Sequence, residues 1–186
     1  MGKIFITSDI HLGHDREFMF KPRGFNSIQE HDEAIFQRWN SIVSDNDTVY
    51  ILGDLMLGNN EQGIRKLEEL CGTFNVVIGN HDTDTRIELF KNCPKIKSIL
   101  YADFLKYRGY RFYMSHYPTL TANLEKESLK QCTINLYGHT HQKTNFYNDI
   151  PFMYHVGMDS HNCYPVLLDD IIEDCKNKVK ECKEFL

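Results

Sequence analysis

The chain has 186 residues, 41% apolar and 25% charged, and 21 basic against 26 acidic side chains leave a formal charge of −5. Its length suits one domain over residues 1–186, and its ordinary globular composition excludes wholesale disorder. The acidic balance excludes a broad basic field, so no strong nucleic-acid binding is expected.

No apolar run approaches the roughly 18 residues of a membrane span, and the N-terminal run is too short for a secretory signal. The expected setting is cytoplasmic, with no membrane partner. The six cysteines (Cys71, Cys93, Cys132, Cys163, Cys175, Cys182) form no C-x-x-C pair, which excludes zinc-ribbon and thioredoxin-type sites.

In chain order, Lys3–Thr7 reads as a buried strand. Ser27 and Glu30 form a capping box ahead of Ile28, Ile35, Trp39 and Ile42 at helical spacing. Thr48–Leu52 is a second strand. A helix follows over Glu61–Cys71, with Gly72 as its stop, and Phe74–Ile78 is a third strand. Phe104–Tyr107 and Tyr110–Ser115 form a hairpin about Arg108-Gly109, and Thr133–Tyr137 and Phe152–Val156 are further strands. The chain closes on a helix over Asp169–Phe185 that carries Ile172, Cys175, Val179 and Cys182 on one stripe. The first half thus predicts a parallel β-α-β-α-β unit and the second mainly antiparallel strands, together an α/β sandwich with helices outside.

The chemistry-bearing residues recur at one kind of place, just after a strand. Asp9-x-His11 follows the first, Gly53-Asp54 the second and Gly79-Asn80-His81-Asp82 the third. Ser115-His116 follows the hairpin, and Gly138-His139-Thr140-His141 follows Thr133–Tyr137. Strand ends in α/β sheets converge on one rim, where ligands bind. Four His, two Asp and one Asn are too many ligands for one tetrahedral ion and suit two. Imidazole and carboxylate without thiolate favour Mn, Fe, Zn, Co or Ni. Two ions roughly 3.5–4 Å apart activate a bridging hydroxide and neutralise both oxygens of a phosphoryl transfer.

These motifs, in this order, resemble the calcineurin-like metallophosphoesterase superfamily, whose signature is D-x-H, G-D, G-N-H-[DE], H and G-H-x-H. The stretch from Val156-Gly157-Met158-Asp159 to Pro165-Val166 also looks like the closing segment of its small, single-domain bacterial and phage members. The resemblance implies a four-layer αββα sandwich of two mixed β-sheets flanked by helices. It assigns Asp9, His11 and His141 to one ion and Asn80, His116 and His139 to the other, with Asp54 as the bridge. His81 is left as the catalytic histidine that protonates the leaving alkoxide or stabilises the transition state. Asp82 is grouped with it as a catalytic residue, orienting His81 or else stabilising the loop.

Two further residues are candidate substrate contacts. His14 either touches substrate phosphate or lines the rim, and Arg23 either clamps a phosphate bidentately or stands solvated in its loop. His31 reads as a surface or packing residue of the first helix, and His155 and His161 read as structural. The expected activity is hydrolysis of a phosphodiester by a centre of two divalent transition-metal ions, Mn foremost. A phosphomonoesterase or pyrophosphatase acting on a nucleotide-like substrate is the alternative. A nucleotide or cyclic nucleotide is the natural candidate ligand, and a non-catalytic protein-interaction scaffold is the rival of a different class.

Overall fold

The computed structural model describes residues 2–121 and 128–184. Its elements are β1 (Ile4–Thr7), α1 (Glu17–Phe20), α2 (Ile28–Ile42), β2 (Thr48–Leu52), α3 (Asn60–Glu69), β3 (Thr73–Val77), α4 (Asp84–Asn92), β4 (Ile96–Leu100), β5 (Ala102–Tyr107), β6 (Tyr110–Ser115), β7 (Thr133–Tyr137), β8 (Met153–His155), β9 (Val166–Leu167) and α5 (Leu168–Glu184). Phe185, the expected end of the last helix, lies outside the described residues.

Two mixed sheets with flanking helices make the fold. The first has the order β4-β3-β2-β1-β9 and the second β5-β6-β7-β8. In the first sheet β1, β2, β3 and β4 run parallel, and only β9 runs against its neighbour β1. In the second, β5 and β6 form the expected antiparallel pair about Arg108-Gly109. The expectation of mainly antiparallel strands stops there, because β6, β7 and β8 pair in parallel. A strand's direction is set by its crossover connection, which a local apolar pattern does not record.

The period of 2 along each strand divides the interior in two. Phe5, Val49, Ile51, Phe74 and Val76 face one way, against Ile35 and Trp39 of α2, Leu67 of α3 and Phe90 of α4. Their neighbours Ile6, Leu52 and Val77 face the other way, into a core with Phe112, Ile134, Leu136 and Tyr154 of the second sheet and Ile171 and Cys175 of α5. Trp39 is fully buried and donates its indole N–H to the Cys71 carbonyl at 2.9 Å. Truncating such a side chain to Ala costs about 3–5 kcal/mol.

The first core helix starts where its sequence says it must. The Ser27 hydroxyl accepts from the Glu30 N–H at 3.1 Å, while the Glu30 carboxylate reaches back to the Asn26 N–H at 2.8 Å. Asn59 caps α3 in the same way, accepting from Gln62 N–H at 3.0 Å.

One feature of the topology positions the site. β1, β2 and β3 end on the same edge of the first sheet, β6, β7 and β8 on the same edge of the second, and a parallel bridge between Ser8 and Gly157 joins the two edges.

Candidate metal centre

Each strand end turns sharply into its loop, and the backbone there is unusual. Asp9, His11, Asp54, His139 and His141 all have positive φ, between 48° and 67°. Glycines allow the loops to close on one another. A Cβ on Gly53 would stand 2.5 Å from His116 Nδ1, and one on Gly138 would stand 2.5 Å from Asp9 Oδ2. The loops are laced by main-chain bonds, with Asp9 N–H to Gly53 O and His11 N–H to Asp54 O at 3.0 Å each.

The result brings together all seven candidate ligands. Asp9, His11 and His141 offer ligand atoms within 4.8 Å of one another, and so do Asp9, Asp54 and His116. Asp54 Oδ1 accepts the His81 N–H at 2.8 Å. Its Oδ2 stands 3.7 Å from His11 Nε2 and 3.6 Å from His116 Nε2, between the two groups. Asn80 Oδ1 lies 2.8 Å from both His116 Nε2 and His139 Nδ1. Asp9, His11, Asp54 and His116 are buried, whereas Asn80 and His139 are exposed, so the centre opens to solvent on their side.

The ring nitrogens are prepared for cations. His116 Nδ1–H donates to the Leu52 carbonyl at 2.8 Å and His141 Nδ1–H donates to Asp159 at 2.8 Å. In the neutral ring each arrangement leaves Nε2 unprotonated and facing the cluster, the tautomer a metal ligand needs. His11 is the clearest sign, since both its ring nitrogens are buried without a hydrogen-bond partner among the described residues. Burial, with the Arg23 charge adding to it, pushes the His11 imidazole far below its ordinary range. Burial also raises the Asp9 carboxyl against the pull of His141 and His116. A buried, neutral imidazole beside two buried carboxylates is a donor set that fits a divalent transition metal.

The structure places the remaining expected residues differently from one another. His81 is exposed at the mouth, its ring centroid 5.5 Å from that of His11. His14 stands beside it on the rim, 5.3 Å from His11 and edge-on to Phe18 at 5.5 Å. Asp82 does not orient the His81 ring. Its carboxylate accepts three backbone N–H groups, those of Gly79, Asp54 and Leu55 at 2.8, 2.9 and 3.2 Å, and so holds the loop under Asp54.

Arg23 is neither a phosphate clamp nor a solvated arginine. Its side chain is 1% exposed, and its donors are taken by Asp159 Oδ1 and Oδ2 at 3.2 and 2.8 Å, the Asp9 and Ile10 carbonyls at 2.7 and 3.3 Å, and His31 Nε2 at 2.9 Å. A guanidinium so occupied has no donor edge to offer a substrate.

Asp159 belongs to the site but lies outside the five motifs. It follows β8 as Asp9 follows β1, and its position after a strand was the available signal. Burial opposes its charge, yet hydrogen bonds from His141 and Arg23 hold its carboxyl well below the usual range. The same pairing with Asp159 holds the His141 imidazole above its ordinary range, against its own burial. Beside the centre lies a cleft of about 510 Å³ lined by His14, Phe18, Met19, Pro22, His81 and Lys143 among others. Phe18 is 71% exposed at its lip. No helix among the described residues is long and apolar enough to cross a membrane.

Similarity to known proteins identifies the family. Residues 3–157 match the family model of the calcineurin-like phosphoesterase superfamily domain. An uncharacterized protein of Methanocaldococcus jannaschii is 30% identical over 184 residues, covering 93% of this chain and 91% of that protein. The gene 66 protein of Mycobacterium phage D29 is 25% identical over 211 residues, covering 97% of this chain and 99% of that one. A solved structure, a protein of unknown function from Aquifex aeolicus, shares the fold with a TM-score of 0.71 at 21% identity, over 93% of this chain and 99% of its own. The chain belongs to the calcineurin-like phosphoesterase superfamily.

Proposed function

We propose that the protein is a hydrolase that cleaves a phosphodiester at a centre of two divalent ions, Mn²⁺ foremost, with His81 as its proton donor. Asp9, His11 and His141 would hold one ion, Asn80, His116 and His139 the other, and Asp54 would serve both. The observation that carries the reading is the place of Asp54 Oδ2, 3.7 Å from His11 Nε2 and 3.6 Å from His116 Nε2. Ions bound there would supply Lewis-acid charge to the phosphoryl oxygens and lower the pKa of water in their reach.

The chain's own residues do the rest. The main chain of His81 is tied to Asp54 Oδ1, so the residue stands at the mouth of the centre, from which its exposed ring can protonate a departing alkoxide. Asp82 fixes the loop that carries Asp54. The cleft beyond His81 leaves room for an organic substituent on the phosphate, which favours a diester over a small phosphomonoester or pyrophosphate. A nucleotide or cyclic nucleotide is of the right class, and a cytoplasmic setting suits it.

The test uses metal-depleted protein reloaded with Mn²⁺, offered bis(p-nitrophenyl) phosphate and p-nitrophenyl phosphate, with Asp54→Asn as the control. Mn²⁺-dependent diester hydrolysis that disappears in the control supports the reading. Faster release from the monoester transfers the activity to the phosphomonoesterase alternative. No turnover of either substrate by protein shown to bind Mn²⁺ favours the scaffold.

A further inference from the structure

We infer that Arg23 and Asp159 are positioning residues for one ion of the pair, the ion of Asp9, His11 and His141, and leave the other ion's ligands untouched. The inference rests on the two-ion reading above. The Arg23 guanidinium holds the Asp9 and Ile10 carbonyls, flanking the loop that presents Asp9 and His11. Through its other edge it grips both oxygens of Asp159. Asp159 in turn accepts from His141 Nδ1–H, which aims His141 Nε2 towards Asp9 Oδ1, 3.9 Å away. One buried cation therefore ties together the loop after β1 and the loop after β7, the two limbs of a single ligand set.

The other set is fixed mostly by different means, although the His139 N–H donates to the Asp9 carboxylate at 3.1 and 2.9 Å. His116 is held by the Leu52 carbonyl, and Asn80 lies between His116 and His139. Neither Arg23 nor Asp159 makes a hydrogen bond to any of these three among the described residues. Carboxylates that fix a ligating histidine contribute about 10- to 100-fold to metal affinity, and here that contribution falls on one side of the centre.

The sequence disguises this role. Arg23 sits in a Lys-Pro-Arg-Gly loop that looks solvated, and Asp159 lies 136 residues further along the chain. The anchor extends behind the site as well. Arg23 Nη1 donates to His31 Nε2, and His31 Nδ1–H donates to Asp32, which is paired with Lys66. The guanidinium is therefore braced on the side away from the ions.

The experiment measures metal content. Wild type, Asp159→Ala, Asp159→Asn and Arg23→Lys are stripped, titrated with Mn²⁺, and analysed for manganese per chain and by electron paramagnetic resonance. Wild type should bind two ions with an exchange-coupled spectrum. Asp159→Ala and Arg23→Lys should keep one ion at unchanged affinity and bind the second about 10- to 100-fold more weakly, with the six-line spectrum of an isolated Mn²⁺. Asp159→Asn, which keeps an acceptor oxygen for His141, should recover part of that loss. A residue of merely structural importance would lower the urea midpoint without emptying one site selectively. Folded variants that keep both ions at wild-type affinity, or lose both together, overturn the inference. A wild type that binds fewer than two ions overturns the two-ion reading itself, and the inference with it.

Discussion

Asp82 supports Asp54 from behind, its Oδ2 accepting the Asp54 backbone N–H at 2.9 Å while its Oδ1 takes that of Leu55 at 3.2 Å. Together with the Gly79 N–H, three main-chain donors end on one carboxylate that is 5% exposed. A buried donor left without its acceptor costs about 1–3 kcal/mol. Asp82→Ala is therefore expected to destabilise the protein by about 3 kcal/mol in urea unfolding, and Asp82→Asn by less. A loss under about 1 kcal/mol in the alanine variant would refute the role.

His81 should separate chemistry from binding. Its ring ligates neither ion in the proposed centre, so His81→Ala is expected to lower kcat by about 10²- to 10⁴-fold with both ions retained. Metal analysis beside steady-state kinetics decides the matter, and loss of an ion in this variant would make His81 a ligand.

Divalent ions should stabilise the fold in proportion to their binding. Two buried carboxylates and a neutral buried imidazole converge on the centre. Saturation with Mn²⁺ at about 100 times its Kd adds about 2.7 kcal/mol per ion, which at this chain length is roughly 5–10 °C in Tm. Differential scanning calorimetry with Mn²⁺ and then with a chelator measures it. Asp54→Asn should lose most of the shift, and an unshifted wild type would count against the centre.

A second histidine gives the fold a pH dependence of its own. His155 is fully buried, with Nδ1 bonded to Ser160 and Nε2 without a partner among the described residues. Burial, helped by the His161 charge, pushes its pKa down to about 3. Below about pH 6.5 the unfolded chain takes up a proton that the native state refuses, so this contribution to stability is present above that pH and is lost as pH falls towards 3. His155→Gln should flatten the stability profile across that window by up to about 1.4 kcal/mol per pH unit. Urea unfolding of both proteins, stripped of metal, from pH 7 to 4 checks it, and parallel profiles would contradict it.

How much of this was readable in the sequence depended on how local each feature is. β2, β6 and β7 coincide with the apolar runs Thr48–Leu52, Tyr110–Ser115 and Thr133–Tyr137, because their side chains are largely buried. β4 escaped because Ile96–Leu100 is an edge strand with no fully buried residue, and β9 because it is two residues long. α4 buries only Phe90, too little to draw a helical stripe. The seven candidate ligands were visible because each follows a strand inside a short motif. The burial of Arg23 and its union with Asp159 were not, since no local pattern tells a loop arginine that finds a distant carboxylate from one that does not.

Left-handed backbone at Asp9, His11, Asp54, His139 and His141 carries a consequence for how the protein fails. Each such residue other than glycine costs on the order of 1–3 kcal/mol in strain, so the rim is held in a shape that its own residues resist. What restrains it is the bonding between loops, above all the grip of Arg23 and Asp82. Heat or denaturant should therefore open this edge before either core melts, and hydrogen exchange should be fastest at the site for a protein stripped of metal. The same strain separates two substitutions that delete the same side-chain chemistry. His141→Gly relaxes the backbone and His141→Ala does not, so the glycine variant should be the more stable of the two. Function and firmness are opposed at this rim, and the ions, where bound, would reconcile them.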